Sequence, residues 1–244
     1  MNVDRYLKRI RMDTVQPTIE SLQQLQSNHM GHIPFENLDT TKDIWIPLDL
    51  EITYKKVIEN HRGGLCFEIN PLFQKLLNKI GFRTTMVTGT VQISENKWGQ
   101  ENTHLTTLVN INNVLYLTDV GFGNSSRYPI PLTGEPIHDG FHYYRIVQVQ
   151  KNTYHLQREV NKKWSTQLEF TTEPRTFTFY QPLSEFIQSH PNSPFRKGPF
   201  VTMATEKGRT TLTEHSLVIT IEGEKKEYAI DMEDWNSLYT TYFK

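Results

Sequence analysis

Apolar positions recur every three or four residues up to about residue 80 and then alternate from residue 83 onward. The first period is that of a helix face, the second that of a half-buried strand. Val3, Tyr6, Leu7 and Ile10 share one helical face. Ile19, Leu22, Leu25 and His29 repeat behind Pro17-Thr18, a helix start. Pro34 biases Ile33 to an extended conformation, so residues 32–38 are predicted to be a loop. Residues 45–50 read as extended and 53–60 as a short helix. Phe67, Phe73, Leu76, Leu77 and Ile80 predict a buried helix stopped at Gly81. Pro71 leaves two starts open: a helix from Cys66 that tolerates a proline, or a fresh start capped by Asn70 with Pro71 in its first turn.

Strands are predicted at 84–92, 103–110, 114–120, 143–150, 153–159 and 163–170, with turn residues between them. Consecutive strands of this kind form a small antiparallel barrel or sandwich. Gln181-Pro182-Leu183-Ser184 opens a short helix over 185–188. The last part, from Ser193, carries short strands at 200–205, 210–215, 216–221 and 227–230. Asp231 is then placed as the cap of a terminal helix bearing Trp235, Leu238, Tyr239 and Tyr242. No internal repeat or low-complexity segment interrupts this order, and the fold class is α+β.

The 244 residues include 13 Phe, 11 Tyr and 4 Trp, enough to fill a real core. A net charge of −1 gives no global field for nucleic acid or an anionic membrane. One cysteine rules out an internal disulfide and a Cys-rich zinc site. A free thiol, no apolar leader after Met1 and no long apolar run lead us to expect a cytoplasmic protein.

That single cysteine, Cys66, follows Gly63-Gly64 and precedes the buried helix. N–H groups and the dipole at a helix mouth favour a thiolate. A lone cysteine is nevertheless more often a buried apolar residue. A second feature weighs against that reading. Asn112-Asn113 suits a two-residue hairpin turn. Pairing Ile111 with Val114 sets His104 opposite Gly121 and Thr106 opposite Asp119. His104 and Asp119 become diagonal neighbours on one face, with α-carbons about 7–8 Å apart. A slip of one residue would separate them. A carboxylate on one imidazole nitrogen frees the other to take a proton from a thiol, so Cys66, His104 and Asp119 are the candidate catalytic set.

Other features are less pointed. Gly121-Phe122-Gly123-Asn124 is either an anion-binding turn or a strand end. Arg62 is a candidate anchor for the glycine loop. His29 and His32 have a metal-like spacing but no third ligand, and no metal is expected. Arg196-Lys197 and Lys207-Gly208-Arg209 read as solvated surface or as phosphate contacts. Phe35, Phe122 and Phe200 either line an aromatic pocket or belong to the core.

Four segments resemble the arylamine N-acetyltransferase family, in its order: Ile33-Pro34-Phe35-Glu36-Asn37-Leu38; Arg62-Gly63-Gly64-Leu65-Cys66-Phe67-Glu68-Ile69-Asn70; Thr103-His104-Leu105; and Asp119-Val120-Gly121-Phe122-Gly123. Pro194-Phe195-Arg196 resembles a later one. Leu65 stands where an aromatic is common. The resemblance implies a helical bundle carrying the nucleophile (1–82), a β-barrel carrying His and Asp (83–190) and an α/β lid (191–244), built on a cysteine-protease-like Cys-His-Asp core. It implies ping-pong transfer from acetyl-CoA through an acetyl-cysteine at Cys66 to arylamines, arylhydrazines or N-hydroxyarylamines. It further implies Thr103, Gly121 and Phe122 beside the coenzyme, and Phe35, Phe122 and Phe200 beside the acceptor. The same three residue types would also serve a thiol hydrolase or transglutaminase-like enzyme, or persist in a binding module without turnover.

Overall fold

A computed structural model describes the whole chain, residues 1–244. Four helices build the first part: α1 (Val3–Arg9), α2 (Ile19–His32), α3 (Leu50–Tyr54) and α4 (Cys66–Ile80). Thr18 caps α2, accepting from the Ser21 N–H while Ser21 Oγ accepts from the Thr18 N–H. α4 is the central element. Every residue from Cys66 to Phe73 is buried, Glu68 and Asn70 among them, while Lys75, Asn78 and Lys79 in the second half are exposed, so the first two turns are enclosed and the rest is amphipathic. It begins at Cys66 and runs through Pro71 without a fresh start. A proline inside a helix costs about 3 kcal/mol through its missing N–H and its ring; burial of Phe67, Ile69, Leu72 and Phe73 offsets that cost.

The middle of the chain forms an antiparallel sheet that nearly closes on itself. Its long strands are β2 (Arg83–Ser94), β4 (His104–Ile111), β5 (Val114–Thr118), β8 (Tyr143–Gln150), β9 (Thr153–Val160) and β10 (Lys163–Thr171), with short β3 (Lys97–Trp98), β6 (Ile130–Pro131) and β7 (Ile137–His138) between them. The order is β6-β5-β4-β2-β10-β9-β8-β7, with β3 paired to β2 and β6 lying against β8. Val87, Leu108, Leu117, Tyr144, Leu156 and Phe170 fill the interior, and α4 packs outside against β2 and β4.

A second sheet runs β1-β11-β12-β13-β14, with β1 (Phe35–Glu36), β11 (Phe200–Thr205), β12 (Gly208–Thr213), β13 (Ser216–Ile221) and β14 (Glu224–Ala229). Helix α6 (Trp235–Phe243) covers it through Trp235, Tyr239 and Phe243, and α5 (Gln181–Ser189) links the two sheets. The architecture is thus α+β: a helical bundle, a central barrel and a C-terminal α/β layer.

Several sequence expectations shift. The predicted loop at 32–38 contains β1 (Phe35–Glu36), an edge strand pairing Phe35 with Thr202 and Glu36 with Val201. Two residues with a partner that distant carry no local signature. Of residues 45–50, read as extended, Leu50 already belongs to α3 while Asp49 is extended; the Gln188 amide bonds both sides of the Ile46 backbone, at 2.7 and 3.0 Å. The helix at 53–60 starts earlier, at Leu50 behind an Asp49 cap, and ends in a π-helical turn over Lys55–Glu59. Asp231 does not cap α6; its carbonyl accepts from Asp234 N, one turn before the helix begins.

Candidate active site

The loop before α4 is held by charge and by close backbone contact. Gly63 and Gly64 run beside Pro34–Glu36: Gly64 N donates to Pro34 O at 3.3 Å and Glu36 N to Gly64 O at 3.1 Å. A Cβ on Gly63 would fall 1.9 Å from Pro34 O, so only glycine permits this approach. Arg62 clamps the buried Glu36 carboxylate through Nε (2.7 Å) and Nη2 (3.1 Å) and also reaches Asp39 at 2.8 Å. Lys56 bridges Asp39 and Glu68, both at 2.7 Å. Glu68 reaches back to accept the Leu65 N–H at 2.9 Å, which ties down the residue preceding Cys66.

On the barrel side, the hairpin follows the predicted register. Ile111 pairs with Val114 and Thr107 with Thr118, and Asn112 and Asn113 both take positive φ. The ladder stops at Thr118 instead of reaching Val120, because Val120 N turns to Asn70 Oδ1 at 2.9 Å. That departure swings Asp119 under His104: Nε2 and Oδ2 are 2.5 Å apart. The other carboxylate oxygen accepts from Asn70 Nδ2 (3.0 Å) and Gly121 N (2.8 Å). His104 and Asp119 are almost fully buried.

Burial by itself would lower the proton affinity of His104. The Asp119 charge and hydrogen bond outweigh it, Cys66 adds to them by hydrogen bonding and charge, and the imidazole is held up to about 10. Burial acts to raise Asp119, but His104, Asn70 and Gly121 N together hold it below its ordinary value. With Nε2 on the carboxylate, Nδ1 is left for the sulfur. Cys66 is buried, and its thiol points to the Thr103 carbonyl at 3.8 Å. The two sides meet without a spacer: a Cβ on Gly121 would lie 2.8 Å from Cys66 Cα and 2.7 Å from Asn70 Nδ2. The fold therefore gathers Cys66, Thr103, His104, Asp119 and Gly121.

Phe122 sets its ring edge-on to His104, centroids 5.1 Å apart. Phe35 packs edge-on with Phe200 (6.3 Å) and with Phe195 (6.0 Å), beside Gly123, where a Cβ would sit 3.4 Å from the Phe35 ring. Reasoning from sequence named Phe195 and Asn70 only as members of resembling segments, and Asn70 as a helix cap, with no part in the site; it did not single out Tyr180. Asn70 lies one helical turn after Cys66, and that i,i+4 spacing is a signal it could have used. Tyr180 carries no such signal; its buried hydroxyl donates to Asn102 O at 2.9 Å, and burial followed by the Cys66 and Asp119 charges pushes it well above its ordinary range. His29 and His32 do not converge: His29 Nδ1 meets the Tyr6 hydroxyl at 3.0 Å and His32 Nδ1 the Asn28 carbonyl at 2.8 Å. No helix is long and apolar enough to cross a membrane.

A thiol, an imidazole and a buried carboxylate gathered in this way, with the Phe122 ring against the imidazole, can pass an acyl group through sulfur. A sequence profile described as N-acetyltransferase matches residues 18–244. The chain is 30% identical over 239 residues to the arylamine N-acetyltransferase of Mycolicibacterium smegmatis, covering 95% of this chain and 86% of that protein. Among solved structures it is similar to an arylamine N-acetyltransferase of Bacillus cereus described as having a Cys-His-Glu catalytic triad, with TM-score 0.92, 28% identity, and 100% and 98% of the two chains covered. It is also similar to the Mycobacterium marinum arylamine N-acetyltransferase in complex with CoA, with TM-score 0.90, 27% identity, and 99% and 92% covered.

Proposed function

We propose, from the premise that this chain belongs to the arylamine N-acetyltransferase family, that it moves an acetyl group from acetyl-CoA to an aromatic amine or hydrazine through Cys66. The observation that carries this reading is the line Cys66–His104–Asp119 with Asp119 fixed from behind by Asn70 and Gly121 N. His104 takes the proton of Cys66, and the sulfur attacks the thioester carbonyl. The CoA thiolate departs with the proton from His104, leaving acetyl on Cys66. An amine then attacks that acetyl, His104 accepts the amine proton, and the cysteine sulfur is released. Asp119 keeps Nδ1 facing the sulfur and stabilises the imidazolium. Where the B. cereus protein is described with glutamate in its triad, this chain has Asp119.

The chain's own groups suit an acetyl thioester. The first N–H groups of α4 have no partner further back in the helix and face developing negative charge at the carbonyl oxygen. Thr103 and Gly121, beside Cys66, and Phe122, against His104, are the residues proposed for the coenzyme arm. Phe35, Phe122 and Phe200 supply faces for an aromatic acceptor. A reducing compartment, the cytoplasm, suits a working free thiol.

Intact-mass measurement after incubation with acetyl-CoA tests the reading. One acetyl group is expected on Cys66, removed when an arylamine is added. No labelling, together with amide hydrolysis, would assign the site to a thiol hydrolase instead. A Cys66 that is neither labelled nor reactive would leave a binding module.

A further inference from the structure

Lys207-Gly208-Arg209 reads in sequence as a basic turn, yet the fold tucks Arg209 inward. A cavity of about 350 Å³ lies where β12 begins, between the Asn124–Arg127 loop, the barrel near Tyr144 and the turn after β13. Arg127 and Arg209 line it, and Arg158 stands behind, across the ladder from Tyr144. None of the three guanidinium groups has a carboxylate within ion-pair distance. Two carboxylates lie in the wall: Asp139 is buried and spends its oxygens on the backbone N–H groups of Arg127, Phe141 and His142, at 2.9 to 3.0 Å, and Glu222, in the turn after β13, is exposed at the rim and pairs with none of the three arginines.

The guanidinium donors are only partly used. Arg127 gives two bonds to the Thr205 and Gly208 carbonyls and stacks 4.0 Å over Phe141. Arg209 gives one, to Thr202 Oγ1 at 3.1 Å. Arg158 Nε is buried with no partner. An arginine carries five donors, and burying the charge unpaired is costly. Burial, joined by repulsion from Arg127 and Arg158, lowers Arg209 to about 10. What completes such a set is an oxyanion whose several acceptors match the guanidinium fork.

We propose that this cavity is an anion site for a phosphate group, held by Arg127 and Arg209 with Arg158 behind them. Two sources share that chemistry: free orthophosphate, and the phosphate-bearing end of CoA. The second source rests on the acetyl-CoA reading above. It is geometrically open, since Asn124 in the cavity wall is only three chain steps from Gly121, which touches Cys66, a reach of at most about 11 Å.

Arg209→Gln in the full chain tests the site, with Arg158→Gln as a second variant should the first not fold. If free phosphate is the ligand, orthophosphate raises the thermal midpoint of the unsubstituted protein and not of the variant. If the donor is the source, the variant raises KM for acetyl-CoA relative to S-acetylpantetheine, which has no phosphate, by roughly tenfold or more. Should neither orthophosphate stabilisation nor the KM ratio distinguish the variants from the unsubstituted chain, the proposal is overturned. The orthophosphate arm needs no acetyl transfer, so it stands even if Cys66 fails to take an acetyl group.

Discussion

His104 is buried next to a carboxylate, and its proton is the most pH-sensitive part of the site. The folded chain holds that proton up to about 10, whereas an unfolded histidine releases it near its ordinary value of about 6.5. The contribution to stability is therefore complete below that ordinary value and disappears as pH rises through about 10. Asp119 works the other way: lowered in the fold, it contributes above its ordinary value and loses that contribution as pH falls through the depressed one. His104→Gln is thus expected to cost most at mildly acidic pH, on the order of a few kcal/mol, and least above pH about 10. Urea unfolding of both proteins across that range checks it; a cost independent of pH would remove the imidazolium–carboxylate pair from the account. Residues of this kind were legible before any coordinates. Cys66 stood out as the only cysteine, and the Asn112-Asn113 turn fixed the register that brings His104 to Asp119. The position of Asn70 one turn after Cys66 was legible but its task was not, because that task depends on Asp119 and Val120, about fifty residues away.

At the scale of elements, the start of α4 matters most. Glu68 lies within the first turn, almost fully buried, capping Leu65 N and paired with Lys56. Burial pushes its carboxyl up and Lys56 pulls it back. Lys56→Met would keep the apolar stem and leave that carboxylate without a cation, an expected loss of about 3–5 kcal/mol in urea unfolding. Adding Glu68→Gln should recover part of the loss, since the amide oxygen still accepts from Leu65 N. If the double variant is less stable than the single one, the buried charge is not the liability. Most element positions followed from period alone: the barrel strands and the helix after Cys66 sit within a few residues of their predicted places. Where period failed, a side chain had taken over a backbone task. Gln188 bonds both sides of the Ile46 backbone, and Asn70 ends β5 early. The helix runs on through Pro71 where its first two turns, Cys66 to Phe73, are enclosed on every side, which no local pattern reports.

Across the whole molecule, the helical bundle and the C-terminal sheet are joined where the sequence shows only an apparent loop. β1 enters the sheet beside β11, and Asn37, directly after it, acts as a latch. Its Nδ2 donates to the Phe195 and Gly198 carbonyls, both at 2.9 Å, and its Oδ1 accepts from Phe200 N at 2.7 Å. The two phenylalanines it holds are those packed on Phe35, so the latch also sets the proposed acceptor pocket. Asn37→Ala would strand these backbone groups in a largely buried place, at a cost of about 1–3 kcal/mol for each one that stays dry. Two outcomes are expected together. Amide exchange should speed up in β11 and β12 while the barrel strands β4 and β10 stay protected, because local opening follows the contacts removed. KM for an aromatic acceptor should rise while acetylation of Cys66 by acetyl-CoA proceeds, since the Cys66–His104–Asp119 line receives no bond from Asn37. If exchange accelerates equally in barrel and C-terminal sheet, the two open as one unit. In that case Asn37 serves general stability and does not govern how the C-terminal layer packs on Phe35.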